Sequence, residues 1–156
     1  MSALLIDRIR VGECTVDAFV SVDSRFVRTS VTPALAPTVR ELLPGLARHS
    51  CENDRSVSAI EELADTETAH LFEHVALELM ALAGSPRTLK GRTTWDRSQF
   101  GPFGYKVSVE YDHDLVAIAA LNEAALITDW LMTGEGSHPD VDALAALLHA
   151  LRSQAD

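Results

Sequence analysis

One segment restricts the fold of this chain more than any other, because it is mostly apolar and has the spacing of a helix. Residues 70–84 read HLFEHVALELMALAG, and Gly84 followed by Pro86 is a common way to end a helix. At 100° per residue, one stripe of this helix is apolar. Its members are Phe72, Val75, Leu79, Leu82 and Ala83. We predict a long helix that packs against the core through this stripe.

Short β-rich segments and helical segments surround this helix. We predict strands at 4–11 and 16–22, joined as a hairpin through Gly12 and Glu13, and two more at 89–94 and 104–111. Further helices are predicted at 37–48 (weakened by Pro44), at 57–63, at 115–132 and from Pro139 to about Arg152, with Asp65 as the N-cap of the long helix.

This order of elements indicates an α+β fold with an antiparallel sheet covered on one face by helices. A ferredoxin-like arrangement is one packing that such an order allows. We assign residues 1–133 to a single domain and residues 134–156 to a C-terminal helical extension of the same domain. The apolar segment 141–151 could pack against a second copy, which would give a homodimer.

Charge and composition exclude several classes of protein. The net charge of −10 argues against binding to nucleic acid or to an anionic membrane, since both depend on basic surface. The apolar run 115–132 contains Asn122, Glu123 and Asp129, so we expect a core helix and not a membrane span. No signal peptide is visible, and two cysteines, expected to be free and buried, suit the cytoplasm.

The polar residues of the long helix have the spacing of a zinc site. His70 and His74 lie one turn apart, away from the apolar stripe, and Glu73 flanks them. Two such imidazoles can both reach one zinc ion at roughly 2.1 Å, while the carboxylate lies beside it. The order His-x-x-Glu-His is used by a class of zinc peptidases. Polar residues opposite an apolar stripe also occur on any surface helix, so the spacing alone leaves both interpretations open.

Four blocks of the sequence, in this order, resemble the N-terminal domain of cyanophycin synthetase. They read LPGLARHSC (43–51), HLFEHVALELMALAG (70–84), GRT (91–93) and YKVSVEY (105–111). The resemblance implies a domain that holds cyanophycin, a polymer with an aspartate backbone and arginine on each side chain. The resemblance also implies that some members of the family carry a His-x-x-Glu-His zinc site, which hydrolyses the polymer. Other members lack the first histidine, which this chain keeps as His70.

The chain departs from the resemblance at two places. It ends at Asp156 and contains no Gly-rich phosphate loop, so we expect no use of ATP. Residues 52–55 read ENDR where glycines are expected, which puts the shape of that loop and the choice of substrate in question.

With this resemblance, roles can be assigned to individual residues. His70 and His74 are the expected zinc ligands, and Glu73 is the expected general base that activates a zinc-bound water. For the third ligand we favour Glu110, from a second element, with His49 in reserve. Glu78 lies about 12 Å along the helix from His70, so we expect it to pair with a basic residue such as Arg92. Arg92 is also a candidate for binding a substrate carboxylate.

Two functions are compatible with these observations, and they belong to different classes of protein. The first is a zinc-dependent peptide hydrolase that acts on cyanophycin or on a similar Asp/Arg-rich peptide. The second is a non-catalytic module that binds the polymer or a partner protein. The second predicts no tightly bound metal and no effect of substituting Glu73.

Overall fold

The computed structural model describes residues 2–49, 59–96 and 101–154. Within them, four strands form one antiparallel sheet in the order β1-β2-β4-β3. The strands are β1 (Leu4–Val11), β2 (Thr15–Val22), β3 (Gly91–Trp95) and β4 (Gly104–Glu110). The four predicted strands and the N-terminal hairpin are therefore confirmed.

The ferredoxin-like arrangement is wrong. That fold places a helix between its first two strands, whereas β1 and β2 here pair directly as antiparallel neighbours. The two hairpins meet where β2 pairs with β4, so β1 and β3 are the edges of the sheet. The α+β class itself is confirmed.

Five α-helices occur in the described part of the chain. They are α1 (Leu35–Leu42), α2 (Ala59–Glu62), α3 (Thr68–Leu82), α4 (Asp114–Thr133) and α5 (Val141–Gln154). Short 3-10 helices span Ser24–Phe26, Thr29–Val31 and Pro44–Arg48. The helix predicted at 37–48 thus ends at Leu42, because Pro44 cannot continue it. Most of the loop predicted at 49–58 lies outside the described residues.

The start of α3 differs from the prediction. Asp65 does not cap the helix; its carboxylate accepts a hydrogen bond from Arg28 Nε at 3.0 Å. Glu67 precedes the first helical residue in extended conformation, and no side chain caps the helix. An N-cap residue type at Asp65 was therefore too weak a signal to locate the first turn.

The core lies between the sheet and the helices α3 and α4. Val107 and Val109 of β4 face the helices and are fully buried, and on α3 the predicted stripe is buried at Phe72, Val75, Leu79 and Ala83. Leu82 is the exception, since 37% of it is exposed. On the other face of the sheet the guanidinium groups of two arginines cover Phe19, at 4.3 Å and 5.3 Å from the ring centroid; these are Arg8 and Arg10.

The helix α4 is long and apolar enough to cross a membrane by length and composition. Half of its most apolar stretch is buried inside the protein, and it packs against α3 and the first two strands. This packing is that of a core helix, as the polar residues within it led us to expect.

The C-terminal helix α5 is attached to the same core. Leu148 is buried, and Arg152 donates hydrogen bonds to Ser85 and Asp112 in the segments that follow α3 and β4. Cys14 is a free thiol and is exposed, contrary to the expectation that it is buried. Cys51 lies outside the described residues.

The two leucines near the end of α3 provide a test of this packing. Leu79 is fully buried, so Leu79→Ala should lower the free energy of unfolding by about 2–5 kcal/mol. Leu82→Ala, the matched change at the exposed position, should cost at most about 1 kcal/mol. Urea denaturation monitored by circular dichroism measures both. Equal losses for the two variants would contradict the orientation of α3.

Candidate metal centre

The helix α3 brings three potential metal ligands together on one face. His70, Glu73 and His74 each offer one ligand atom, and these atoms all lie within 4.8 Å of one another. The two Nε2 atoms of His70 and His74 are 3.0 Å apart. A single zinc ion about 2.1 Å from each nitrogen can span that distance. The spacing predicted from the sequence is therefore present as geometry.

This face of α3 is more buried than the sequence suggested. Only 5% of Glu73 and 4% of His74 are exposed. Two segments of the chain cover this face. Strand β3 packs beside Glu73, and the segment around His49 packs beside His74. The face away from the apolar stripe is thus covered by polar contacts and not by solvent.

Glu73 is held against strand β3. Thr93 Oγ1 donates a hydrogen bond to Glu73 Oε1 at 2.8 Å. A side chain at residue 91 would displace Glu73, because a Cβ atom there would lie 2.7 Å from Glu73 Cγ. Burial raises the pKa of the Glu73 carboxyl, and the nearby His70 and the Thr93 hydrogen bond offset this only in part. A carboxyl group whose pKa is raised in this way is better able to hold a proton during a reaction.

His74 is kept neutral by its surroundings. Burial, together with the neighbouring His70 and His49, lowers the pKa of His74 to about 3. Its Nδ1 atom lies 3.0 Å from Nδ1 of His49. On the other side of the His49 ring, Nε2 lies 3.0 Å from Oε1 of Glu78. A chain of three side chains therefore leads from Glu78 to the nitrogen pair.

The charge of Glu78 determines where the protons of this chain reside. Burial raises the pKa of Glu78, but hydrogen bonds from His49 and Arg87 outweigh it, and the pKa falls below its usual value. Arg87 Nη1 donates to Glu78 Oε1 at 2.7 Å. Glu78 is thus a carboxylate, which accepts hydrogen bonds only. Arg87, and not Arg92 as predicted, is its basic partner.

The hydrogen-bond contacts are compatible with one set of histidine tautomers that suits a cation. With Glu78 as acceptor, His49 Nε2 donates, and in this set of tautomers His49 Nδ1 accepts from His74 Nδ1. This leaves a lone pair on His74 Nε2. Thr66 Oγ1, at 3.1 Å, can accept the Nδ1 proton of His70 in the same way. With this tautomer of His70 the Nε2 lone pairs of the two rings face each other at 3.0 Å, an arrangement that a cation stabilises; with the other tautomer, His70 Nε2–H donates to His74 Nε2.

The three candidates for the third ligand lie at different places. Glu110 is exposed, and its Oε1 accepts a hydrogen bond from the Lys90 backbone N–H at 2.7 Å. It alternates with Val109, so it lies on the sheet face away from α3, and the structure does not bring it to His70 and His74. His49 contacts Nδ1 on the opposite side of the His74 ring, and Glu78 lies one step further away, on the far side of His49. Among the described residues, Glu73 is the acidic residue that groups with His70 and His74 as a potential metal ligand.

The site opens into a cleft of about 880 Å³ between α3 and β3. Basic residues line it at Arg48, Arg87, Lys90 and Arg92, and acidic residues at Glu62 and Glu67. Arg92 is exposed at the rim, and its register opposite Ser108 places its side chain on the sheet face away from α3. Its predicted role with a substrate stays a prediction.

Some residues of the site were not found from the sequence. Thr93 lies within the GRT block, and Thr66 lies four residues before His70, so spacing could have indicated both. Nothing in the sequence pointed to Arg87, which comes from the connection after α3 and joins Glu78 only through the fold.

The fold and the site together define an α+β domain whose central helix presents a His-x-x-Glu-His pair to a cleft. The family model described as cyanophycin synthase-like N-terminal domain matches residues 19–133. The chain belongs to this family, which confirms the resemblance seen in the sequence. A relative is the cyanophycin synthetase of Geminocystis herdmanii, 33% identical over 87 residues. The match covers 55% of this chain but 10% of that protein, so the chain corresponds to a small part of the synthetase.

Gly91 offers a test of the packing around Glu73. Gly91→Ala places a methyl group on the Glu73 side chain, which must then leave its hydrogen bond with Thr93. We expect a loss of about 1–3 kcal/mol in the free energy of unfolding, the usual cost of overpacking. The neighbouring Arg92→Ala, at an exposed position, should change stability by no more than about 0.5 kcal/mol. Urea denaturation compares them, and an unaltered Gly91→Ala variant would contradict the contact.

Proposed function

We propose that this chain is a zinc-dependent peptide hydrolase that acts on cyanophycin or on a similar Asp/Arg-rich peptide. The observation that carries the proposal is the pair of Nε2 atoms at 3.0 Å, each on a ring whose other nitrogen has its own partner. A histidine pair that merely packed on a helix would not need both Nδ1 atoms, which face away from the pair, to have fixed partners. Membership of the cyanophycin synthetase N-terminal family supports the choice of substrate.

His70 and His74 would hold the zinc ion. When bound, zinc would supply a Lewis acid that polarises the peptide carbonyl and lowers the pKa of the attacking water. Nδ1 of His74 keeps its hydrogen bond with His49, and Nδ1 of His70 keeps its hydrogen bond with Thr66. These contacts fix the orientation of the two rings. Glu78 and Arg87 hold His49 in turn.

Glu73 would move the proton. It would accept one proton from the attacking water while the water oxygen bonds to the carbonyl carbon. It would then give that proton to the amine nitrogen as the C–N bond breaks. Burial, which raises the pKa of Glu73, favours a carboxyl group that can hold the proton between the two steps.

The cleft suits a substrate that carries both signs of charge. Arg48 and Lys90 are exposed basic residues of the lining, while Glu62 and Glu67 line it as acidic residues. A peptide of aspartate and arginine presents carboxylates and guanidinium groups to such a surface. The net charge of −10 makes these basic residues a local feature and not a property of the whole surface.

The central experiment combines metal content with hydrolysis. Protein purified without added metal should contain about one zinc ion per chain by elemental analysis, and it should cleave cyanophycin. His70→Ala should lose both the zinc and the activity. Glu73→Gln should keep the zinc and lose activity by about 10²–10⁴-fold, since the proton acceptor is removed while the ligands remain. His149→Ala, an exposed histidine on α5, is the control and should behave as the wild type.

The same experiment separates the hydrolase from the binding module. Zinc in the wild type with no cleavage in any protein would exclude the proposed activity. Folded wild-type protein without zinc, and without a rise in melting temperature when zinc is added, would exclude the metal site. A cyanophycin affinity that Glu73→Gln leaves unchanged would then favour the module that binds without catalysis.

Glu78→Gln tests the support behind His74. The change keeps the shape of the side chain but removes the charge that fixes the His49 tautomer. We expect the zinc affinity of the folded protein to fall by about 10–100-fold, the usual effect of altering a group that orients a ligand. Competition with a chromogenic chelator measures it. Glu41→Gln, an exposed change on α1, is the control, and equal affinities for the two variants would refute the role of Glu78.

A further inference from the structure

The strand β3 is an edge of the sheet, and its hydrogen-bonding pattern determines which of its backbone groups point outward. Glu110 N–H donates to Lys90 O at 2.8 Å, and Asp96 N–H donates to Gly104 O at 2.9 Å. In an antiparallel pair such residues alternate, so Arg92 and Thr94 also direct their backbone groups to β4. Gly91 and Thr93 therefore direct their N–H and C=O groups away from β4, to the outer edge.

That outer edge borders the candidate metal centre. Gly91, Arg92 and Thr93 line the same cleft as His70, Glu73 and His74. The Thr93 hydroxyl lies 2.8 Å from the Glu73 carboxylate. The outward backbone groups of β3 are thus adjacent to the group that would transfer the proton.

Nothing in the described part of the chain pairs with this edge. No backbone hydrogen bond of the described residues reaches Gly91 or Thr93 from the side opposite β4. Exposed edge strands are a template for another extended chain, and folded proteins usually cover them or interrupt them with charge or proline. The edge that the described residues leave unpaired faces a cleft of about 880 Å³, which has room for such a chain.

We propose that an extended peptide substrate binds to the outer edge of β3 as an additional strand. The proposal rests on the proposed function and specifies how the peptide is held. The backbone groups of Gly91 and Thr93, two residues and about 6.7 Å apart, would pair with alternate residues of the peptide. This pairing would place a peptide carbonyl beside Glu73 without requiring a particular side chain.

The charges along the cleft fit an occupant with both signs. Lys90 precedes the first residue of β3, while at the other end of the strand Trp95 Nε1 donates to Glu67 Oε2 at 2.9 Å. Lys90 thus supplies a basic residue near the start of β3, and Glu67 supplies an acidic residue near its end. Carboxylates of the bound peptide would lie towards Lys90, and cationic groups would lie towards Glu67.

Amide hydrogen exchange gives a direct test. The probe is a six-residue fragment of cyanophycin added to zinc-loaded Glu73→Gln protein, which should bind the fragment without cleaving it. Exchange of the Gly91 and Thr93 amides, followed by NMR, should slow by at least about tenfold. The amides of Arg92 and Thr94 already donate to β4 and should not change. This alternation along one strand is specific to backbone pairing.

A matched pair of variants tests the same idea from the protein side. In the Glu73→Gln background, Thr93→Val and Thr93→Pro both lack the hydroxyl, but only Thr93→Pro also lacks the outward N–H. Proline is tolerated on an edge strand when its nitrogen faces outward. We expect Thr93→Pro to bind the fragment at least about tenfold more weakly than Thr93→Val by calorimetry. Circular dichroism confirms the fold of each.

The outcomes separate this inference from the proposed function, with cleavage by the wild type measured in parallel. Cleavage with protected Gly91 and Thr93 amides supports both. Cleavage without protection overturns the edge pairing and leaves the hydrolase. Protection without cleavage supports the edge pairing and overturns the hydrolase. Neither cleavage nor protection overturns both, and equal affinities of the two Thr93 variants overturn the pairing at Thr93.

Discussion

The burial of α3 on nearly all of its sides is the constraint on which the rest of the structure depends. One face packs its apolar stripe against the sheet and α4, as in any α+β domain. The opposite face carries His74, Glu73 and Glu78, of which at most 5% is exposed. Buried polar groups without partners would cost about 1–3 kcal/mol each, so this face requires dedicated hydrogen-bonding partners. His49, Thr93 and Arg87 provide them from three separate parts of the chain.

This requirement also explains two glycines. A Cβ atom at Gly91 would collide with Glu73, and one at Gly45 would lie 1.9 Å from Oε2 of Glu78. Each glycine allows the backbone of a covering segment to approach a buried carboxylate. The LPGLARH and GRT blocks of the sequence therefore have a structural reason: they form the lid over the polar face of α3. A domain that needed only a stable helix would not bring two backbones so close to two acidic groups.

The parts of the fold that could be predicted are those encoded by local periodicity. The helical angle correctly placed His70, Glu73 and His74 together, and the β-rich segment at 104–111 was correctly predicted to be a strand. The error with Glu110 came from assigning it to the ligand set without knowing which sheet face α3 covers. Glu78 was correctly expected to be a paired carboxylate, but its partner, Arg87, could not be found, because pairs made by tertiary folding leave no spacing in the sequence. The sheet order was not predictable for the same reason.

In the proposed site one cation lies between two nitrogens, and a crystal of the protein grown with zinc tests that claim most directly. Anomalous difference density recorded at the zinc absorption edge should show one strong peak about 2.1 Å from Nε2 of both His70 and His74. Nδ1 of His70 should keep its contact with Thr66, and Nδ1 of His74 should keep its contact with His49. A peak at other residues, or no peak beside two ordered histidines at a zinc concentration that saturates the protein, would contradict the account.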